Sequence, residues 1–355
     1  MGLPRAALTL IVLLAAAEAA PLSADWNPAL AARYLDARQK EWFAWKTAQS
    51  ADGPCVSCHT GMTYLLARPV LRRALHETEP TAFEVGLLDR LRTKMGKPAE
   101  GTLGTVEAVL GAMFFSRDDA RDAMSSHTRQ AFDRLWELQD GQGPAKGGWQ
   151  WYEARLDPWE NPESGYYGAA LAALALGQAP DAYREDPAVR SHAASLVAYL
   201  ARPESPPRLH DRLALLWAST AMPAVLSDAS RRALIAETFE RQQPDGGWTT
   251  AGLGPWMAHP DAPPSSGSDA YATAYTAFVL QRAGVAASDP GLAKALGWLR
   301  SRQDPSTGAW PAGGLDEQAL PRRLDAVTLH AGRCHRAGGR DARRKRSRAQ
   351  TVAAS

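Results

Sequence analysis

Two cysteines and a histidine stand close together near the start of the chain, in the order Cys55-Val56-Ser57-Cys58-His59. This spacing is the attachment pattern of a c-type haem, because each thiol can form a thioether to one vinyl group of the porphyrin. The adjacent His59 can then bind the haem iron as its proximal ligand. The chain has three cysteines, and two of them lie in this motif. We therefore predict one covalent haem c, held by Cys55, Cys58 and His59.

The same pair of cysteines has other interpretations. Cys55 and Cys58 could form a local disulfide or a redox-active dithiol. They could also be half of a zinc site, although the sequence has no second cysteine pair to complete it. The compartment helps to choose among these, since c-type haem is attached outside the cytoplasm.

The first 20 residues have the three parts of a secretory signal peptide. Arg5 supplies a positive start, residues 6–17 are small and apolar apart from Thr9, and Ala17-Glu18-Ala19 offers a cleavage site. The apolar run is too short to span a bilayer comfortably, and no comparable run follows Ala20. We predict a secreted or periplasmic protein without a transmembrane segment after signal cleavage.

The rest of the chain is helical in its patterns, and strand-like runs are nearly absent. Helices are predicted over residues 25–47, 60–75, 81–95 and 105–115, with Pro69 interrupting the second, and another begins at Ser116 and runs to 138. After residue 165, apolar helices alternate with amphipathic ones, as at 165–176 and 186–200. These pairs recur roughly every 50 to 60 residues, which is typical of helical repeat architectures.

Three turns that follow amphipathic helices share a glutamine, glycine and a tryptophan. The clearest copy runs from Gln242 to Trp248 (QQPDGGW), and the others lie at residues 303–310 and 139–149. Glycine permits the tight reversal, and the tryptophan fills the gap between neighbouring helix pairs. The glutamine can bridge backbone groups near a helix end.

These turns resemble the QW repeats of squalene–hopene cyclases and related terpenoid cyclases, over about half of the chain, residues 135–314. The resemblance implies an all-α fold of helix pairs, the α/α toroid shared with protein prenyltransferase β subunits, with a hydrophobic or isoprenoid ligand in its cavity. Together with the signal and the CxxCH motif, it resembles exported bacterial cyclase-like proteins. We divide the chain into a signal peptide (1–20), an N-terminal helical region (21–125), toroid repeats (126–317) and an atypical tail (318–355).

The resemblance does not carry an activity with it, because a fold does not determine function. The Asp-x-Asp-Asp acid with which squalene–hopene cyclases protonate an alkene is absent from the sequence, and Cys334 lacks the surroundings of the prenyltransferase zinc site. Two acids remain candidates for catalysis at a cavity rim, Asp269 and Glu163, each ahead of an apolar helix that carries tyrosines. The alternative is that both simply cap helices. The sequence leaves open whether the protein is an enzyme.

Charge is unevenly distributed along the chain. The formal net charge is +2, but residues 322–355 hold ten Arg or Lys against two Asp, so the remainder is mildly acidic and has no nucleic-acid signature. After Trp310 the repeat calls for one more apolar helix, which residues 318–355 do not supply. This region is either a frameshifted or disordered tail, or a genuine basic tail that contacts anionic lipid or nucleic acid.

Three functions are compatible with these features. The leading one is an exported haem protein with a redox or electron-transfer role, which exchanges electrons with a redox partner or acts on a hydrophobic ligand in the toroid. The second is a terpenoid-cyclase-like isomerase or lyase without haem, and the third is a non-catalytic binding scaffold. Histidines outside the motif are single and scattered. Candidates for a sixth iron ligand are His76, His127, Met62, Met95, Met113 and Met124.

Overall fold

The computed structural model describes residues 26–50, 52–57, 60–99, 101–120, 122–153, 157–202, 208–256 and 267–310. The signal peptide predicted over residues 1–20, the motif residues Cys58 and His59, and the tail over residues 318–355 lie outside these ranges. What was predicted for them therefore remains a prediction.

Helices dominate the described chain, and the fold is all-α, as the sequence predicted. Its strands form one antiparallel hairpin, which pairs Gln49–Ser50 with Gly53–Pro54. Short 3-10 turns lie at Lys46–Ala48, Pro162–Ser164 and Pro223–Val225. The α-helices of the described ranges are, in chain order, α1 (Pro28–Ala44), α2 (Gly61–Ala74), α3 (Ala82–Met95), α4 (Gly101–Asp118), α5 (Ser126–Glu137), α6 (Gly165–Gln178), α7 (Asp181–Arg184), α8 (Pro187–Leu200), α9 (Leu209–Ala218), α10 (Asp228–Glu240), α11 (Thr250–Leu253), α12 (Ala270–Arg282) and α13 (Pro290–Ser301).

Several helices begin at the capping signals in the sequence. Thr81 and Glu84 form a capping box at α3, in which each side chain accepts a hydrogen bond from the backbone N–H of the other, at 3.1 Å and 2.7 Å. Asp186 and Asp289 cap α8 and α13, and each is followed by a proline. These bonds satisfy N–H groups that have no partner within the helix.

Pro69 does not interrupt its helix, and the prediction that it does is wrong. A proline inside a helix frees the carbonyl four residues earlier, which here belongs to Leu65. That carbonyl accepts a hydrogen bond from the guanidinium of Arg117 at 3.0 Å. A partner from α4 thus replaces the missing one, and α2 continues from Gly61 to Ala74.

The predicted start of the next helix at Ser116 is also wrong. Ser116 is buried inside α4, so the acids that follow it end a helix instead of beginning one. The next helix, α5, begins after Ser125, whose hydroxyl accepts from the N–H of Thr128 at 3.2 Å. The N–H of Ser125 donates to the carboxylate of Asp119 at 2.9 Å, which fixes the connection between the two helices.

Four apolar helices, α4, α6, α9 and α12, pack against one another in this order, and we call them the inner helices. Each contacts the more polar helix that follows it, α5, α8, α10 or α13, and we call these the outer helices. Inner helix α6 is buried along almost its whole length, whereas outer helix α10 buries only Leu234 and Thr238. This confirms the alternation of apolar and amphipathic helices that the sequence predicted.

The main core is continuous along the described chain. Its buried residues begin with Val56, within the CxxCH motif, and end with Ala295 on α13. The N-terminal helices α2 and α3 contribute Leu65, Leu87 and Leu91 to it, none exposed by more than 1 %. Burial of one such side chain contributes about 1.5–3 kcal/mol, so the motif region and the repeats stabilise each other.

The three glutamine–tryptophan turns make the same hydrogen bond at their tryptophan. In each turn the indole N–H donates to the backbone carbonyl that lies four residues before the glutamine. The pairs are Trp149 with Leu135 at 2.9 Å, Trp248 with Thr238 at 2.8 Å, and Trp310 with Leu299 at 2.6 Å. The tryptophan thus anchors its turn to the end of the preceding outer helix, which explains why this residue type recurs.

Each glutamine also ties its turn to another helix. The side-chain amide donates to a glycine of its own turn and to a second, distant carbonyl. These bonds join Gln139 to Gly147 and His192, Gln242 to Gly246 and Gly291, and Gln303 to Gly308 and Asn27. In the first two turns the distant carbonyl lies on the outer helix that comes next, α8 or α13. In the third it belongs to the N-cap of α1, so the last turn is bonded to the first helix.

Candidate functional site

Cys55, the first cysteine of the motif, follows the hairpin and is buried. Its N–H donates to the carbonyl of Ala48 at 2.8 Å, and its carbonyl accepts from the indole of Trp42 at 2.8 Å. The side chains of these three residues form a small apolar cluster, against which Phe43 and Trp45 pack. Cys55 is therefore held through its backbone in an aromatic setting.

The residues that flank Cys58 and His59 form the start of α2. The hydroxyl of Ser57 accepts from the N–H groups of Thr60 at 3.0 Å and Gly61 at 3.3 Å. Its carbonyl accepts from the N–H of Met62 at 3.0 Å. These bonds satisfy N–H groups of the first turn, so the beginning of α2 is fixed directly beside the motif.

A cluster of charged side chains lies beside the hairpin. Asp52 pairs with Arg90 at 3.1 Å, with Lys94 at 3.5 Å and with Lys97. Arg90 also reaches Glu107 at 3.5 Å. The hydrogen bond from Lys97, supported by Arg90, lowers the pKa of Asp52 to about 2. Two of the cations, Arg90 and Lys94, are themselves buried, so the cluster holds positive charge close to the CxxCH motif.

The start of α2 meets the start of α6. The hydroxyl of Tyr167 donates to the sulfur of Met62 at 3.5 Å, and both side chains are buried. The ring of Tyr167 in turn lies 5.0 Å from that of His210 on α9, measured between centroids. A chain of contacts therefore leads from the end of the motif to the beginnings of α6 and α9.

A hydrogen-bonded series of three side chains connects α9 with α12. Nδ1 of His210 lies 2.8 Å from a carboxylate oxygen of Asp211, and Nε2 lies 2.8 Å from the hydroxyl of Tyr271. His210 and Asp211 are buried to at least 99 %. Burial lowers the pKa of His210, although Asp211 opposes this, so the ring is neutral at pH 7. Nδ1 then donates to Asp211, and Nε2 accepts from Tyr271.

Arg208 completes the cluster at the start of α9. Its Nε donates to Asp211 at 2.9 Å, and its other nitrogens reach Asp157 at 3.4 Å and the hydroxyl of Ser164 at 3.0 Å. The guanidinium also lies over the ring of Trp256, 4.5 Å from its centroid. A single cation thus holds together the loop before α6, the first turn of α9 and the segment after α11.

Aromatic rings pack against the ring of Tyr271. Trp159 packs edge-on against the Tyr271 ring at 4.8 Å, and Tyr275 lies parallel to it at 6.0 Å. These three residues and Trp256 are each only partly buried, although they lie beside a buried polar group. Burial raises the pKa of Tyr271 well above its usual value, which keeps the phenol neutral.

Asp269, one of the two predicted catalytic acids, is buried and is the N-cap of α12. One oxygen accepts from the N–H of Ala272 at 2.8 Å and from the hydroxyl of Thr250 at 3.0 Å, and the other accepts from the N–H of Thr250 at 2.5 Å. Burial raises the pKa of Asp269, while these hydrogen bonds oppose the rise. These contacts are those expected of a helix cap, and a catalytic role stays a prediction.

Glu163, the other predicted acid, has a different setting. It lies in the 3-10 turn before α6, where its N–H donates to the side chain of Asn161 at 2.9 Å. Its own carboxylate is 81 % exposed and lies 3.9 Å from Arg208. In this turn Asn161 is the capping side chain, so Glu163 is not the cap that the alternative interpretation expected.

The candidates for the sixth iron ligand lie in different settings. Met62 bonds to Tyr167, and Met95 and Met113 are buried in the core. His76 is exposed beyond the far end of α2, and a helix of that length spans about 20 Å.

The sequence analysis missed the series of Asp211, His210 and Tyr271, because it treated His210 as one of several scattered histidines. The sequence does contain a signal for these residues, but it lies within each helix separately. Arg208, His210, Asp211 and Arg212 occupy the start of a helix that is otherwise apolar, where charged residues need partners. Tyr271 and Tyr275 are four residues apart and so share one face of α12. Nothing in the sequence pairs these two helices, since 61 positions separate His210 from Tyr271.

No protein-family model matches the chain, and no curated protein matches it either. The resemblance to QW repeats therefore rests on the residues themselves. In the part of the chain that the structure describes, no group of three or more His, Cys, Asp or Glu side chains could hold a metal ion. Among the described helices, none combines the length and apolar character needed to cross a bilayer.

Proposed function

We propose that this protein is an exported c-type haem protein with a redox or electron-transfer role. The observation that carries the proposal is the sequence Cys55-Val56-Ser57-Cys58-His59 behind a signal-like N-terminus. Cys55 and Cys58 would carry the two thioethers, and His59 would bind the iron. Bound haem supplies one-electron transfer, which the side chains of this chain do not provide.

The described surroundings of the motif fit a haem in two respects. Trp42, Phe43 and Trp45 give Cys55 an apolar, aromatic neighbourhood, which suits a porphyrin ring. The charged cluster beside the hairpin offers the guanidinium of Arg90 and the ammonium of Lys94, which are suitable partners for carboxylates such as those of haem. The hydrogen bonds of Ser57 would keep the start of α2 in place beside the iron ligand.

We also propose that the helix pairs close into an α/α toroid. The support comes from the third glutamine–tryptophan turn, which contacts α1 as the other two contact the next outer helix. The glycines extend the parallel: a Cβ built on Gly147, Gly246 or Gly308 would lie 2.2, 2.9 or 2.4 Å from the helix that the neighbouring glutamine reaches. In such a ring the inner helices surround a cavity that would take a hydrophobic ligand or substrate.

The test is a pyridine haemochrome spectrum. The full chain is exported from a host with active c-type haem maturation, beside the double variant Cys55→Ala/Cys58→Ala. Cys334→Ala is the matched control, because it removes the one cysteine outside the motif. We expect a haem band that resists acid–acetone extraction in the parent and in Cys334→Ala, and none in the double variant.

A failure would be equally clear. Exported protein without covalent haem, from a host in which a known c-type cytochrome matures normally, would remove the proposed function. Mass spectrometry of the tryptic peptide that holds Cys55 and Cys58 would then distinguish a disulfide from two thiols. The toroid proposal is tested separately by the stability of variants at the last turn.

A further inference from the structure

The cluster at the start of α9 and α12 has the chemistry of a ligand site that the haem motif does not explain. Buried polar groups in a protein are normally paired, and here the pairing has a direction. Asp211 accepts from His210, and His210 accepts from Tyr271. The phenol proton of Tyr271 is therefore committed to His210. Trp159 also hydrogen-bonds to this hydroxyl, and because an indole N–H can only donate, it takes one lone pair of the oxygen. What Tyr271 offers to a ligand is the remaining lone pair, so this position recognises hydrogen-bond donors.

The charges around Tyr271 favour a positive donor. Asp211 and Asp269 both act to raise the pKa of Tyr271, and Arg208 acts in the opposite direction. Arg208 is shared between Asp211 and Asp157, so one guanidinium faces two carboxylates at the start of α9. An anionic ligand would meet repulsion here, whereas a cation would meet attraction.

The aromatic rings of the cluster also favour a cation. Trp159, Tyr271 and Tyr275 are each only partly buried, and the rings of the first two meet at an angle of 75°. The faces of aromatic rings attract cations, and several rings set at an angle form the cages that bind organic ammonium groups. Arg208 already uses the face of Trp256 in this way, which shows that the cluster stabilises positive charge over a ring.

We propose that this cluster binds the ammonium group of a small organic amine, with Tyr271 accepting its hydrogen bond and Trp159 and Tyr275 lining its apolar part. His210 and Asp211 are positioning residues, since they fix the direction of the Tyr271 hydroxyl from behind. The inference does not require haem, because it stands on contacts among α6, α9 and α12 and the loop that carries Trp159.

Three probes of one shape separate the possible chemistries: benzylammonium, benzyl alcohol and benzoate. Binding to the full chain is measured by calorimetry at pH 7, where benzylamine is protonated. An ammonium group gains both a charge-assisted hydrogen bond and attraction to the rings, so we expect it to bind roughly tenfold more tightly than the alcohol. Benzoate should bind most weakly. Equal binding of the amine and the alcohol, or no binding of the amine, would overturn the proposal.

Tyr271→Phe and Tyr275→Phe form a matched pair of variants. Each loses one hydroxyl from the same face of α12, but the Tyr275 hydroxyl donates to the backbone carbonyl of His210 at 3.1 Å instead of facing its ring nitrogen. We expect Tyr271→Phe to weaken benzylammonium binding roughly tenfold and Tyr275→Phe less than threefold. Equal losses in the two variants would contradict the assigned acceptor. Should Tyr271→Phe fail to fold, the relative affinities of the parent chain for the three probes are sufficient to test the proposal.

Discussion

Gln303 and Asn27 exchange two hydrogen bonds across 276 positions of the chain. The N–H of Asn27 donates to the Gln303 side-chain oxygen at 2.6 Å, and the Gln303 amide donates to the carbonyl of Asn27 at 3.0 Å. Gln242 and Gln139 reach the outer helices α13 and α8 in the same manner. At the third turn, the start of α1 thus occupies the position that the next outer helix occupies at the other two turns.

Replacing Gln303 tests how much this junction contributes to stability. Gln303→Ala removes hydrogen bonds to Asn27 and Gly308 and leaves the Asn27 N–H without its side-chain acceptor. We expect the free energy of unfolding to fall by about 1–2 kcal/mol, because two or three modest hydrogen bonds are lost at a partly exposed site. Chemical denaturation of the purified chain measures it. Gln243→Ala is the control, since that side chain bonds only to the nearby carbonyl of Arg241. A loss no larger than that of the control would show that the two ends are not coupled.

A glycine in the same turn offers a sharper comparison. Gly308 has φ = 79°, and a Cβ placed on it would lie 2.4 Å from the carbonyl oxygen of Leu30 on α1. Gly284 has φ = 92° but nothing within 4 Å of such a Cβ. Alanine at Gly284 should cost about 1 kcal/mol through backbone strain alone. Gly308→Ala should cost more, because α1 must also move away. Similar melting temperatures for the two variants would contradict this close approach.

The local parts of the fold could be predicted from the sequence, and the distant pairings could not. Capping by Thr81, Asp186 and Asp289 depends on residues within one turn, which the sequence displays directly. The helix through Pro69 could not be foreseen, because its freed carbonyl is satisfied by Arg117, 52 positions from Leu65. A proline does not end a helix when another helix supplies a hydrogen-bond partner for the carbonyl that the proline leaves free.

The candidate site could likewise be predicted only in its local parts. The CxxCH motif is contiguous and is recognised from five letters, whereas the pairing of His210 with Tyr271 arises only when α9 packs on α12. Asp269 was identified as an acid at a helix start, and its burial and its bonds to Thr250 come from α11, a short helix that the sequence analysis did not predict. The sequence therefore shows which individual residues could do chemistry. It does not show which residues from different repeats come together in the folded chain.

Asp52 should make the region beside the CxxCH motif sensitive to acid. Its pKa is lowered to about 2 in the folded chain, against about 4 for an unperturbed aspartate. The stabilisation is therefore complete above pH 4 and is lost as the pH falls towards 2. We expect Asp52→Asn to lower the melting temperature at pH 7 and to reduce the further loss between pH 4 and pH 2.5.

The control for Asp52 is Asp89→Asn, which removes an exposed pair with Arg92. Exposed pairs contribute little, so this variant should melt close to the parent at both pH values. If Asp52→Asn also melted like the parent at pH 7, the cluster around Arg90 and Lys94 would not depend on that carboxylate.

Asp269 allows capping to be separated from acid chemistry. Asp269→Ala removes the acceptor for the N–H groups of Ala272 and Thr250, and we expect a loss of about 1–2 kcal/mol in the free energy of unfolding. Asp269→Asn keeps one oxygen and should lose less. Denaturant unfolding of both variants measures the difference. An alanine variant as stable as the parent would contradict the role as N-cap.

His210 should make the protein less stable in mild acid. Burial lowers its pKa in the folded chain, while in the unfolded chain the pKa stays near 6.5. Below that pH the unfolded chain binds a proton that the folded chain does not, so the free energy of unfolding falls as the pH falls. The loss is at most about 1.4 kcal/mol per pH unit for each such histidine. His192, whose pKa burial also lowers, contributes in the same direction.

Denaturant unfolding at pH 7.5 and pH 5.5 measures this dependence. His210→Gln should be less stable than the parent at pH 7.5 but should lose less on acidification, because the remaining loss comes from His192. His127→Gln is the control, since His127 is exposed and its ring lies beside that of Phe115. A His210→Gln variant that loses as much stability as the parent between the two pH values would show that His210 is not held neutral by its burial. The ammonium site would then lose its oriented acceptor, because a protonated His210 would donate to Tyr271 and free the phenol proton for the ligand.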